Sequence, residues 1–260
     1  MVALVDRIAA RAHHLQHQLA AHPPVVSLRE LLRRSRLVIE AASAEFAEDV
    51  VCHALAAHRD VLLMSAGGLL INRKRWQRIA ASSRGHLYVP SGGLGGLDGV
   101  KAMAVGMITR MELTTRKPPA ALAEAPFVKT RGLQLNRLKQ PRVLFEGSPR
   151  EAIKRFPQNT NVAATMALAC LMPGRSHNRR TQTHGNASHR PRPIKMVVRV
   201  VADPTIRHNV HELDVHGDCG RMRCRMESAP STTNPKTSEV AVRSALATLR
   251  QLFHPVRIGT

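Results

Sequence analysis

At 260 residues the chain can form one large or two modest domains, each burying its own core. Hydrophobic residues at 43% and charged residues at 22% are ordinary globular usage and exclude a wholly disordered or fibrous chain. The 39 basic against 18 acidic side chains leave a net +21, a balance that suggests a phosphate-rich partner such as nucleic acid, yet aromatics at 3% leave few base-stacking platforms, and four cysteines cannot build a disulfide framework in a chain this long, which fits a reducing compartment.

From the N-terminus, Asp6 and Arg7 interrupt the apolar start before a signal-peptide core can form, and the segment reads as an ordinary first helix rather than an organellar transit peptide. Val2 to Val5 predicts a strand ending in Asp6, and Ile8 to Ala21 a helix. Ser27 and Glu30 stand at capping-box spacing and start a short helix through Arg34. Strands follow at Leu37 to Glu40, Val61 to Ser65 and His86 to Val89, separated by helices at Ala44 to His58 and Arg73 to Ser83. Unbroken apolar strands alternating with solvent-sided helices are the pattern of a parallel sheet covered on both faces.

Beyond Pro118 the strands alternate in period two: Arg142 to Glu146, Lys195 to Val201, Asn209 to Val215 and Arg221 to Glu227. Helices near 148 to 155, 161 to 172 and 237 to 252 accompany them, which predicts a mixed or antiparallel sheet backed by helices. The stretch Phe156 to Gly174 has no charged side chain, but its apolar part, Val162 to Met172, is too short to cross a bilayer and reads as core. Cys52 and Cys170 likewise read as small core residues. The segment 174 to 195, rich in arginine and histidine and without an acid, predicts a disordered loop.

Five clusters carry chemistry. Pro90 to Gly99, PSGGLGGLDG, follows a strand; its glycines allow close backbone approach to a ligand and Asp98 is placed to cap the next helix, although alone such a run is more often a turn. Thr114 to Pro119, TTRKPP, ends a strand with two cations. Asn159 to Thr165, NTNVAAT, opens a helix where free N–H groups favour anions. Ala202 to Leu213 places His211 in mid-strand, where a histidine is otherwise a hydrogen-bonded structural residue. Asn234 to Ser238, NPKTS, starts a last helix with Lys236 at its mouth.

In this order, VIEAAS, SGGLGGLD, TTRKPPAAL, VLFEGSPREAIKRFPQNTNVAAT, VVADP, NVHE and NPKTS resemble the signature segments of the L-aspartate dehydrogenase family. The resemblance runs along nearly the whole chain except 174 to 195. It implies oxidation of L-aspartate by NAD or NADP to iminoaspartate, which hydrolyses to oxaloacetate and ammonia, in service of NAD biosynthesis, by a cytoplasmic homodimer. It implies His211 as the catalytic histidine and Gly93 and Asn161 as cofactor contacts, although the family usually carries alanine where Gly93 stands. Imidazole suits that role, since its pKa lies near neutrality and the amino acid must lose a proton.

A dicarboxylate calls for cations, and Arg116, Lys117 and Lys236 stand at element ends; the alternative is solvated surface charge. Asp6 ends the first strand where an acid would accept from the adenosine ribose, or it caps the following helix. Arg7 beside it would tolerate a 2′-phosphate, so NAD and NADP both stay open. Ala42, Ser43, Ser65 and Ala66 follow strands on the same edge as further cofactor contacts.

The expected architecture is α/β: a Rossmann-like parallel sheet whose first β-α unit is absent, over 1–116, with the helix 237–253 packing back on it, and an α+β catalytic domain with a mixed or antiparallel sheet over 117–236. The glycine-rich turn that precedes the ribose-binding acid by about 20 residues has no room before Asp6. Two readings compete with a working enzyme, an inactive truncated relative and a basic nucleic-acid-binding protein, the latter without any accompanying helix-turn-helix, finger or RNA-recognition signature. A metal site from His208, His211, His216, Cys219 and Cys224 is disfavoured by spacing and by strand alternation, and no metal is expected.

Overall fold

The computed structural model describes residues 1–157, 160–171, 194–231 and 237–259. The chain forms two compact units, Met1–Pro90 and Ser91–Thr260. Each has its own sheet, one of three strands and one of five. Among the described residues no helix is long and apolar enough to cross a membrane.

The first unit runs α1 (Ala9–Gln18), α2 (Leu28–Arg34), β1 (Leu37–Glu40), α3 (Ala44–Ala56), β2 (Asp60–Leu63), a 3-10 turn (Ala66–Leu70), α4 (Arg73–Ser82) and β3 (Leu87–Tyr88). Its sheet has the order β1-β2-β3 and is parallel throughout. Burial on both faces holds only for the central strand: Val61, Leu62 and Leu63 are buried, whereas Ile39 on edge strand β1 is half exposed. Val2 to Val5 does not form the expected strand. Leu4 alone bridges Val25, because the preceding Pro23 and Pro24 have no N–H with which to extend the ladder. At α2 the Ser27 hydroxyl accepts from Glu30 N at 3.3 Å, while the Glu30 carboxylate turns to Arg33 and Arg34 and leaves the capping box half made.

Glu40 organises the carboxyl edge of this sheet. It is 3% exposed, and its two oxygens accept from Ala42 N at 2.8 Å and Ser65 N at 2.9 Å. One buried carboxylate therefore ties together the loops that leave β1 and β2, and charged acceptors of this kind are the strong class of hydrogen bond.

The second unit contains α5 (Leu97–Val105), β4 (Ile108–Lys117), short helices α6 (Pro119–Leu122) and α7 (Pro126–Thr130), β5 (Arg142–Gly147), α8 (Pro149–Arg155), α9 (Asn161–Ala169), β6 (Lys195–Ala202), β7 (Asn209–Gly217), β8 (Gly220–Ser228) and α10 (Glu239–Phe253). The sheet order is β5-β6-β4-β7-β8, with β4 and β6 parallel and the other pairs antiparallel, as the period-two strands predict. The change of rhythm at Pro118 thus falls inside this unit, because β4 already pairs with β6 and β7, and α10 belongs to it as well. The basic segment 174 to 195 lies outside the described residues except for its last two, and Lys195 opens β6.

One sheet face is packed. Met111, Leu113, Val198, Val200, Leu213 and Val215 meet Ala152, Phe156, Ala163 and Met166 in a single core. Helix α9 is buried from Val162 to Ala169 and apolar there but for Thr165, so it shows no polar stripe. Helix α8 is started by a full capping box, Ser148 with Glu151. Asp98 does not cap α5 as expected: Gly96 holds that position at φ 75°, a left-handed conformation that glycine adopts without strain, and Asp98 sits in the first turn paired with Lys101 at 3.0 Å.

Replacing Glu40 by glutamine leaves one oxygen to accept and sets an amide N–H2 against the second loop. The expected loss is about 1–3 kcal/mol of unfolding free energy in urea denaturation. A change below about 0.5 kcal/mol, the range of ordinary surface substitutions, would show that the carboxylate does not hold the loops.

Candidate active site

The centre of the second unit's sheet carries polar side chains on its packed face. In the antiparallel register of β4 with β7, Thr115 lies directly opposite His211. Both are buried, and Thr115 Oγ1 and His211 Nδ1 are 3.1 Å apart. Lys117, two residues further along β4 and so on the same face, is 5% exposed. Burial pushes the Lys117 ammonium down to about 8, and among the described residues no carboxylate pairs with it. Burial first, and the Lys117 charge second, push the His211 imidazole down to about 3, so the ring is neutral at neutral pH.

The opposite edge of the ring meets the loop that precedes α5. A methyl group built on Gly93 would lie 3.3 Å from His211 Nε2 and 3.2 Å from Ser238 Oγ. Ser238 is fixed as the N-cap of α10, its hydroxyl accepting from Ala241 N at 3.3 Å. Gly92 N donates to Ser244 Oγ on the same helix at 3.0 Å. The loop is thus pinned so that its backbone passes the Nε2 side of the imidazole.

Gly95, Gly96 and Gly99 serve packing, not ligand approach, while Gly92 takes a left-handed φ of 63° in the turn. A Cβ on Gly95 would stand 2.7 Å from Cys224 Sγ, and one on Gly99 2.4 Å from Met222 Sδ, so these glycines let the loop and α5 settle on β8. Of the cluster, only Gly93 faces the histidine.

Arg116 does not join this group. It follows Thr115 and precedes Lys117, so alternation turns it to the other face of the sheet, where it pairs with Glu212 at 3.1 Å and Asp203 at 3.7 Å. That face is a lattice of ion pairs, including Arg199 with Glu146 and Glu112, and Arg221 and Arg223 with Asp214. Of the two cations that end β4, Lys117 therefore shares the face of His211 and Arg116 does not. Lys236 lies outside the described residues. Asn161 is the first residue of α9, following Thr160, whose buried hydroxyl donates to Phe156 O at 2.8 Å and does not cap the helix. Thr115 and Ser238 lay within segments singled out in the sequence, but their roles required the strand register and the cap geometry.

In the first unit, Ala42, Ser43 and Ser65 stand at the carboxyl edge of the parallel sheet, where dinucleotides bind in such folds. The edge fits a cofactor backbone. Its two loops are held by Glu40, Ser43 is the N-cap of α3 with an uncommitted capping position, and a Cβ on Gly68 would stand 2.3 Å from Ala44 O, so the turn after β2 lies tightly against the start of α3. Asp6 is exposed and its Oδ1 accepts from Ile8 N at 2.7 Å, as a local cap would. Arg7 lies over the Phe46 ring at 4.9 Å.

Comparison with known proteins agrees with this division. Residues 1–90 match the family described as homoserine dehydrogenase, NAD binding domain, and residues 98–181 and 192–252 match aspartate dehydrogenase, C-terminal. The chain is 40% identical to an L-aspartate dehydrogenase of Methanosarcina barkeri, covering 100% of this chain and 90% of the relative. It is 37% identical to the L-aspartate dehydrogenase of Methanocella arvoryzae, over 99% of this chain and 89% of that one. Among solved structures, the aspartate dehydrogenase of Thermotoga maritima superposes with a TM-score of 0.69 at 25% identity, covering 98% of this chain and 88% of the other. A parallel nucleotide-binding sheet, a mixed sheet with a buried histidine, and identity along the whole length place this chain in the L-aspartate dehydrogenase family.

Proposed function

We propose that the chain oxidises L-aspartate with NAD or NADP to iminoaspartate, which water converts to oxaloacetate and ammonia, a reaction that feeds NAD biosynthesis, and that His211 is its acid–base group. The observation that carries the second part is the placement of His211: a buried imidazole held at Nδ1 by Thr115, with its Nε2 edge turned to the Gly93 backbone.

Aspartate arrives with a protonated amine, and the Cα–H bond can give up its electron pair only when the nitrogen lone pair is free to form the C=N bond. His211, neutral in the free protein, takes that proton at Nε2. Lys117 is the cation placed to receive a carboxylate, since among the described residues it forms no ion pair. A dicarboxylate bound there offsets the Lys117 charge that depresses the imidazole, so substrate binding itself makes His211 a stronger base. The nicotinamide, when bound, supplies the hydride acceptor. Ala42, Ser43, Ser65, Gly93 and Asn161 would hold the cofactor, largely through backbone groups, with Asp6 toward the adenosine ribose. Hydride loss from the neutral amine leaves an iminium carbon to which water adds, nitrogen departs as ammonium, and the proton held on His211 is released to solvent, restoring the neutral ring.

We further propose a homodimer in the cytoplasm. Support for the compartment comes from the four free cysteines, of which Cys219 is exposed.

His211→Ala is expected to lower kcat by about 10²–10⁴-fold, the usual contribution of a positioned acid–base group, with the KM for NAD little changed. Aspartate-dependent NADH or NADPH formation at the wild-type rate would end the acid–base reading.

Lys117→Met is expected to cost about 1.5–3 kcal/mol of transition-state binding, seen chiefly as a raised KM for aspartate. Arg116→Met, on the far face, should stay within about threefold of wild type; equal effects of the two would refute the assignment of faces to function.

A folded-state imidazole pKa near 3, against 6.5 for the free group, means that the unfolded chain takes up the proton first. Stability therefore falls as the pH drops from about 6.5 towards 3, and above 6.5 this group adds no slope. Chemical denaturation at pH 5 and pH 7.5 should show a smaller drop for His211→Asn than for wild type. Identical drops would mean that the ring is not buried in its neutral form.

A further inference from the structure

The acid–base reading leaves the buried Thr115 hydroxyl unassigned. It is fully buried, on the packed face, in a strand whose same-face neighbours before it, Met111 and Leu113, are apolar core. A hydroxyl there costs free energy unless it is paired, and valine would fill the same volume without that cost. Its one side-chain hydrogen bond among the described residues is with His211 Nδ1 at 3.1 Å. The two residues are directly opposite in the β4–β7 ladder, so backbone register and not loop conformation sets the contact.

The bond has a chemical consequence. A neutral imidazole carries one proton, and Nε2 can accept from a substrate only in the tautomer protonated at Nδ1. That tautomer, and the imidazolium formed after proton transfer, both need an acceptor at Nδ1. No carboxylate or carbonyl is hydrogen-bonded there among the described residues; the Thr115 oxygen is. We infer that Thr115 is a positioning residue for His211: its hydroxyl oxygen accepts from Nδ1–H, selects the tautomer whose Nε2 lone pair faces the Gly93 loop, and holds the ring plane as the proton moves on and off Nε2. The inference rests on the acid–base role of His211.

The test compares Thr115→Val, Thr115→Ser and His211→Ala. Thr115→Val, which keeps the shape and removes the acceptor, is expected to lower kcat about tenfold or more while leaving the KM for NAD within about threefold. Because the imidazolium loses its acceptor, the acid limb of the kcat/KM profile should move to lower pH. Thr115→Ser should restore kcat to within a few-fold and return the limb to its place. Nitrogen-15 NMR of the His211 ring, assigned by its loss in His211→Ala, should show the Nδ1–H tautomer in the wild type and Nε2–H in Thr115→Val. Full activity and an unmoved pH profile in Thr115→Val, with His211→Ala inactive, would overturn the role of Thr115 alone. Activity surviving in His211→Ala would remove both assignments together. Should Thr115→Val fail to fold, an Nε2–H tautomer in the wild-type spectrum at neutral pH would be sufficient to refute the inference.

Discussion

The hydrogen bond between Thr115 and His211 joins two buried polar groups across the central strands of the second unit. Thr115 and His211 share the packed face of the sheet with Met111, Leu113, Val200, Leu213 and Val215, and the bond between them lowers the cost of burying both. The pairing requires β4 and β7 to keep their register. A slip of one residue would carry His211 to the charged face and bring Glu212 into the core, which the packing of α9 does not permit. Stability of the core and placement of the imidazole are one requirement.

Lys117 shares that face on different terms. Among the described residues no carboxylate pairs with it, and its depressed pKa reports the cost of its desolvation. A protein built only for stability would place an apolar residue or an acid partner here. A buried cation next to a neutral imidazole would suit a substrate that brings a carboxylate with it. Arg116, adjacent in sequence, shows the contrast: on the opposite face it is absorbed into a network with Glu212 and Asp203, where solvent and neighbours balance its charge.

The first unit solves a simpler problem. A parallel sheet brings its loops to one edge with their N–H groups unpaired, and Glu40 uses both carboxylate oxygens to fix two of those loops from beneath. Rigid backbone at that edge suits a ligand recognised through main-chain groups more than through side chains. The tight approach of Gly68 to Ala44 O belongs to the same arrangement.

Much of the fold follows from chain-local chemistry. Periodicity located seven of the eight strands to within a few residues, while the central strand β4 was read only as ending at TTRKPP; Ser27 announced its helix, and the mostly apolar run from Val162 marked a buried one. The collinear motifs pointed to His211 as the acid–base candidate. Where local signals misled, a non-local group was responsible: Pro23 and Pro24 stopped the Val2–Val5 strand from finding a ladder, and Cys224 and Met222 on β8 explain glycines that resemble a ligand loop. Alternation alone states that Arg116 and Lys117 face opposite ways, but not which of them faces inward. That depends on β6 and β7 flanking β4 and on helices packing against one side only, contacts between residues far apart in the chain. For the same reason Thr115 became the partner of His211, and Glu40 the anchor of two loops, only once strands distant in sequence were laid side by side.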